Sequence, residues 1–133
     1  MQVRAITVQT GRLVCEVAIP EQRHRQTTPR LAAFATGQYP DLPQHACVND
    51  RGPTFGSAME HTSVAHLLEH VAISIQTRRD DDAQRTFVGT TEWLDEQGGL
   101  ARVQISFHDD LEALRAFNDA TRFVNTAVLT CLS

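Results

Sequence analysis

A chain of 133 residues, 41% of them apolar, has the size and composition of one globular domain that buries its core without disulfides or a structural metal. Its formal net charge of −4 is spread along the sequence, which argues against nucleic acid and anionic membrane as partners, and no apolar run approaches the roughly 20 residues that cross a bilayer. Cys15, Cys47 and Cys131 are an odd number without framework spacing, so free or metal-binding thiols in a reducing cytoplasmic setting are expected.

The amino-terminal stretch alternates and forms no apolar block, so it reads as strand and not as a signal peptide. "VRAITVQTGRLVCEVAI" predicts two strands joined at Thr10-Gly11. Val3, Ala5 and Thr7 alternate with the other face, as do Leu13, Cys15 and Val17, and Pro20 closes the hairpin. "RQTTPRLAAFATG" predicts a short helix with Thr28 as N-cap, Pro29 in the first position and Gly37 as the stop. Residues 38–59, rich in Pro, Gly, Asn and Asp, predict a long irregular loop, and loops of that length tend to be functional. A second helix is expected from about Glu60 to Thr77, followed by "RRDDDAQ" as a solvated connection. "RTFVGTTEWL" and "LARVQISFH" form a second antiparallel pair joined by "DEQGG". The last segment, "DDLEALRAFNDATRFVNTAVL", is an amphipathic helix capped by Asp109 or Asp110, with Leu111, Leu114, Phe117 and Val124 inward. This order predicts a single α+β domain over residues 1–133: a two-layer sandwich, its mainly antiparallel sheet covered by helices on one face.

The chemistry concentrates in "SVAHLLEHVAISIQTR", residues 63–78. At 100° per residue, Leu67, Leu68, Val71 and Ile75 fall within roughly 60° of Val64, while Glu69, His66 and His70 lie at roughly 140°, 200° and 240°. A solvated polar face accounts for one histidine. Two at i and i+4 project together and can bite one metal ion. With a carboxylate just before the second, the pattern is His-x-x-Glu-His, the inverted zinc-protease signature, in which Glu69 acts as general base on the attacking water. Catalytic zinc takes three protein ligands and keeps an open position, so a third ligand must come from elsewhere. "HAC" in the long loop offers Cys47 first and His45 second. Cys15 and Cys131 read as inert, His61 as a solvated first-turn residue, His108 as a turn residue at the last helix, and His24 as unpartnered.

These residues carry a family resemblance. "HAC" followed by "GSAMEHTSVAHLLEHVAISIQT" resembles the N-terminal domain of cyanophycin synthetase, with collinear counterparts for the first strand pair, "YPDLPQHAC" and "ARVQISFHDDLEALRAFNDATRFV". That family's enzyme polymerises Asp and Arg with ligase domains further along its chain. No phosphate-cradling Gly-rich loop occurs here, so synthesis is not expected of this chain alone. The resemblance implies a domain that helps hold the polymer and, in some members, a metal-dependent site that cuts it into primers. It carries His66, Glu69, His70 and Cys47 onto such a site. "VAHLLEH" is also similar to the insulinase and pitrilysin metalloproteases, whose further Glu ligand lies far downstream. S-ribosylhomocysteine lyase shares the motif and a Cys, without its other motifs here.

The expectation is therefore a zinc-dependent hydrolase of peptide or amide bonds, with one Zn2+ held by His66, His70 and Cys47, and His45 competing as third ligand. Glu69 would move the proton. Arg51 would hold a carboxylate-rich substrate, against its reading as a solvated loop residue. Glu92 and Trp93 would line the cleft from a strand end, Trp93 more as packing. The rival is a non-catalytic polymer- or partner-binding module with a structural or vestigial metal; the plainest reading is a helix merely polar on one side. The expected partner is a peptide-like or Asp/Arg-rich polymer, and the sequence also accommodates a homo-oligomer.

Overall fold

The computed structural model describes residues 1–133. β1 (Gln2–Gln9) and β2 (Arg12–Ala18) form the expected hairpin, whose turn needs the positive φ of Gly11. β5 (Gly89–Asp95) and β6 (Leu100–Ser106) form a second hairpin, and the four strands make one antiparallel sheet in the order β1-β2-β6-β5. Period-two alternation sends Leu13, Cys15 and Val17 of β2 and Ala101, Val103 and Ile105 of β6 to one buried face. α2 (Val64–Arg79) packs there against β5 and β6, and α3 (Asp110–Cys131) packs against α2 and β2. α1 (Pro29–Gln38) lies on α3. This is the α+β arrangement that the sequence predicts. No helix is long and apolar enough to cross a membrane.

Several local readings change. α1 runs through Gly37 to Gln38, because Gly37 keeps ordinary helical backbone and Tyr39 takes the cap. The segment 38–59 is not featureless: two short 3-10 turns flank a small hairpin of β3 (Ala46–Asn49) and β4 (Gly52–Thr54). α2 begins at Val64 rather than Glu60. The Ser63 hydroxyl caps it by accepting from the His66 amide, while Thr62 and Val64 are tied to Thr27 and Arg25 by main-chain hydrogen bonds (2.7 and 2.8 Å).

α3 buries a different stripe from the one expected. Ala113, Ala116, Phe117, Ala120, Val124, Ala127 and Val128 face inward, and Leu111 is 61% exposed. Leu111 stands roughly 160° around the axis from Ala113, and the small alanines let α3 approach α2 closely.

The larger surprise is α2, which is buried on nearly every side. Glu69, His70, Ser74 and Gln76 are as inaccessible as the apolar stripe. The sheet covers one flank, α3 another, and the turn at Phe55 covers the third. A helix in this position has little solvated face for polar residues to occupy, so each buried polar group must find a partner.

Candidate metal centre

α2 supplies two rings one turn apart, and the β3–β4 hairpin brings a thiol over them. The ligand atoms of Cys47, His66 and His70 lie within 4.8 Å of one another. Cys47 Sγ is 3.4 Å from His66 Nε2. Phe55, fully buried, stacks on the His70 ring (centroids 4.0 Å, planes 15° apart) and meets the His66 ring edge-on at 4.9 Å. That single aromatic fixes both imidazoles and anchors the hairpin above them.

The outer nitrogens decide the tautomers. His45 Nε2 is 2.7 Å from Asp41 Oδ2 and donates to it, which leaves His45 Nδ1 as an acceptor. His70 Nδ1, 3.0 Å away, then donates to His45 Nδ1. The other Asp41 oxygen accepts from the Ser74 hydroxyl at 2.8 Å. His66 Nδ1 pairs with the Thr62 hydroxyl at 2.9 Å. The Asp41–His45 chain therefore leaves His70 Nε2 with a free lone pair, while His66, whose Thr62 partner can donate or accept, places its Nε2 3.4 Å from Cys47 Sγ. His70 Nε2 is buried without any hydrogen-bond partner, an orphan that a cation would satisfy.

Glu69 completes the group. Its Oε1 accepts from the Thr91 hydroxyl at 2.7 Å, and its Oε2 lies 3.4 Å from His70 Nε2. That contact is not an ion pair, because His70 is neutral: burial, with His66 and His45 beside it, pushes its pKa down to about 2. Burial likewise holds His66 below its ordinary value. Burial raises the Glu69 carboxyl to about 7, only partly offset by the Thr91 hydrogen bond. Cys47 is raised chiefly by burial, with the Glu69 charge adding to it. Burial pushes the Asp41 carboxyl up, but hydrogen bonds from His45 and Ser74 outweigh it and keep it below the usual range.

The donor set suits zinc. One thiol and two imidazoles with locked outer nitrogens match a three-ligand site with a position left open, and a cleft of about 1060 Å³ opens onto them. A family model described as the cyanophycin synthase-like N-terminal domain matches residues 12–129, which takes in every residue of this group. The chain belongs to that family. Among curated proteins no match to the chain is found.

In this cyanophycin synthase-like N-terminal domain, Cys47 is the third member of the group, and His45 stands behind His70 with both ring nitrogens engaged. Arg51 sits exposed at the tip of the β3–β4 hairpin and does not line the cleft; Arg85 does. Glu92 pairs with Arg102 outside the cleft (3.3 Å), and Trp93 packs half-buried against the core. Cys15 is fully buried with its thiol pushed up to about 12, and Cys131 lies half-buried in the last turn of α3. His61 is exposed, His24 reaches the Ser133 hydroxyl at 3.2 Å, and His108 holds the Thr86 carbonyl at 3.3 Å.

Sequence reasoning passed over Asp41, Phe55, Thr62 and Thr91. Only Asp41 carried a signal, as a carboxylate four residues before His45; the others meet the site through tertiary structure alone.

Proposed function

We propose that this domain is a zinc-dependent hydrolase of peptide or amide bonds, acting on an Asp/Arg-rich polymer of the kind its family name implies. One observation carries the reading: the Cys47–His66–His70 group lies beside a buried carboxylate, Glu69, at the floor of an open cleft. Zinc, when bound, supplies a Lewis acid that polarises the scissile carbonyl and acidifies the attacking water.

The chain's own residues do the rest. Cys47, His66 and His70 hold the ion, and the Asp41–His45 pair keeps His70 in the tautomer that presents Nε2. Thr91 fixes one Glu69 oxygen, so that the other takes the proton of water and returns it to the leaving amine. A carboxyl that burial holds near neutrality is suited to move a proton both ways, and a nearby cation favours its ionised form. Phe55 and the hairpin shield one side from solvent. Three donors with an open position, rather than four closing the shell, support catalysis over a structural ion.

The test is metal content and turnover. Native protein is expected to carry about one zinc per chain, and Glu69→Gln to keep the ion while losing hydrolysis by at least a hundredfold. Protein that hydrolyses an Asp/Arg polymer equally well after chelation would refute the proposal.

A further inference from the structure

The cleft has a wall whose main-chain edge the proposed chemistry leaves unused. β5 is an outer strand, paired with β6 on one side and with nothing on the other. The Ser106 amide donates to the Val88 carbonyl at 2.8 Å, so residues 88 and 106 are a hydrogen-bonded pair. Antiparallel alternation then turns the main-chain groups of Thr90 and Glu92 toward β6, and those of Gly89, Thr91 and Trp93 outward. Beyond the ladder, the main chain of residues 89–93 makes no hydrogen bond within the protein.

Free strand edges are normally blunted by Lys, Pro or a covering segment. Here the edge carries Gly89, Thr90 and Thr91, and all three line the cleft above the histidines. The edge also touches the general base. A Cβ on Gly89 would fall 2.9 Å from Glu69 Cγ and 3.0 Å from its Oε2. Glu69 therefore lies beneath β5 itself, and a strand laid along the free edge would run beside that carboxylate, about 4.8 Å from β5. Opposite, β3 presents Ala46 and a fully exposed Val48, which leaves a slot between two strands with α2 as its floor.

We infer that β5 is a docking edge for the main chain of an extended polypeptide, which adds to the sheet as a further strand and so brings its peptide bonds into the cleft beside His66, Glu69 and His70. Outward N–H and C=O groups recur every second residue, about 6.8 Å apart, a spacing that an α-linked peptide in extended form reproduces and a side-chain amide does not. The substrate class is thus a peptide main chain gripped independently of its side chains, which alternate toward α2 and toward solvent. The inference rests on the hydrolase reading for the bond cleavage that follows docking, not for the docking.

The test uses a ten-residue peptide of Asp and Arg in non-repeating order, the full chain loaded with zinc for cleavage, and its Glu69→Gln variant for binding. Bound peptide is expected to slow amide exchange at Gly89, Thr91 and Trp93, leaving Thr90 and Glu92 unchanged. N-methylation along the peptide is expected to weaken binding about tenfold at every second position and less than about twofold between them. Absence of binding up to millimolar peptide, binding that leaves those three amides unprotected, or N-methyl effects without alternation would each overturn the inference. Protection and alternation without cleavage support docking and count against the hydrolase reading alone. Cleavage without either counts against docking alone.

Discussion

Replacing Glu69 with Gln should stabilise the metal-free protein, and only at neutral to alkaline pH. Burial raises this carboxyl from 4.5 to about 7 in the fold. An acid raised in this way favours folding fully below 4.5, loses that contribution as pH climbs toward 7, and above 7 sits in the fold as a desolvated charge. The gap of roughly 2.5 pH units corresponds to about 3 kcal/mol at about 1.4 kcal/mol per unit. Gln mimics the neutral form: its oxygen still accepts from Thr91, and its amide can donate to the orphaned His70 Nε2. One amide hydrogen remains unpaired at a cost of about 1 kcal/mol, which leaves a net gain of about 2 kcal/mol. For a chain of this size that raises Tm by about 8 °C near pH 8, and the advantage should vanish near pH 5. His70, whose neutral form favours folding above 6.5 and loses that contribution as pH falls toward about 2, is common to both proteins and cancels in the difference. Thermal melts of chelator-treated protein across this pH range test it. A variant no more stable than wild type near pH 8, or equally stabilised at both ends, would refute the picture of a desolvated carboxylate. With zinc bound the stability gain should shrink, because a cation beside Glu69 favours its charge.

Three more outcomes are expected. Zinc binding should release about one proton near pH 8, because the Cys47 thiol lies above its ordinary 9.0 while both histidines are already neutral, so affinity should rise about tenfold per pH unit there; calorimetry in buffers of different ionisation enthalpy measures it, and zero release would exclude Cys47 as a thiolate ligand. Asp41→Asn should weaken zinc binding about 10- to 100-fold with little change in Tm, read by competition with a chromophoric chelator; unchanged affinity would mean that the Asp41–His45–His70 array does not orient the ligand. Phe55→Ala should cost about 3–5 kcal/mol in urea unfolding, since it empties a fully buried site under both imidazoles; a loss below about 1 kcal/mol would show that the hairpin does not depend on this anchor.

The features legible in the sequence were those written at short range. Alternation in β2 marked a sheet face, Thr28 and the pair Asp109 and Asp110 announced helix starts, and the i, i+4 spacing brought His66 and His70 together. Cys47 could be grouped with them because a Cys in a segment leading directly into the helix has few other places to go. The burial of α2 could not be read the same way. Its cover comes from Phe55, in a Pro- and Gly-rich stretch with no periodicity, and from Thr91, more than twenty residues downstream. The α3 stripe misled because hydrophobic size favours Leu111 as a core marker, whereas close helix packing is carried there by Ala113, Ala116 and Ala120.

The three donors do not share one mechanical footing. His66 and His70 ride on a helix locked by sheet and neighbouring helix, so their separation is set before any ion arrives. Cys47 rides on a two-stranded ribbon of seven residues, β3 and β4, whose outer positions Ala46 and Val48 are exposed. Small hairpins of this kind hold little structure by themselves. The site therefore has a fixed jaw and a sprung one. If the proposed ion binds, shorter or longer bonds would be accommodated by movement of the ribbon rather than of the helix.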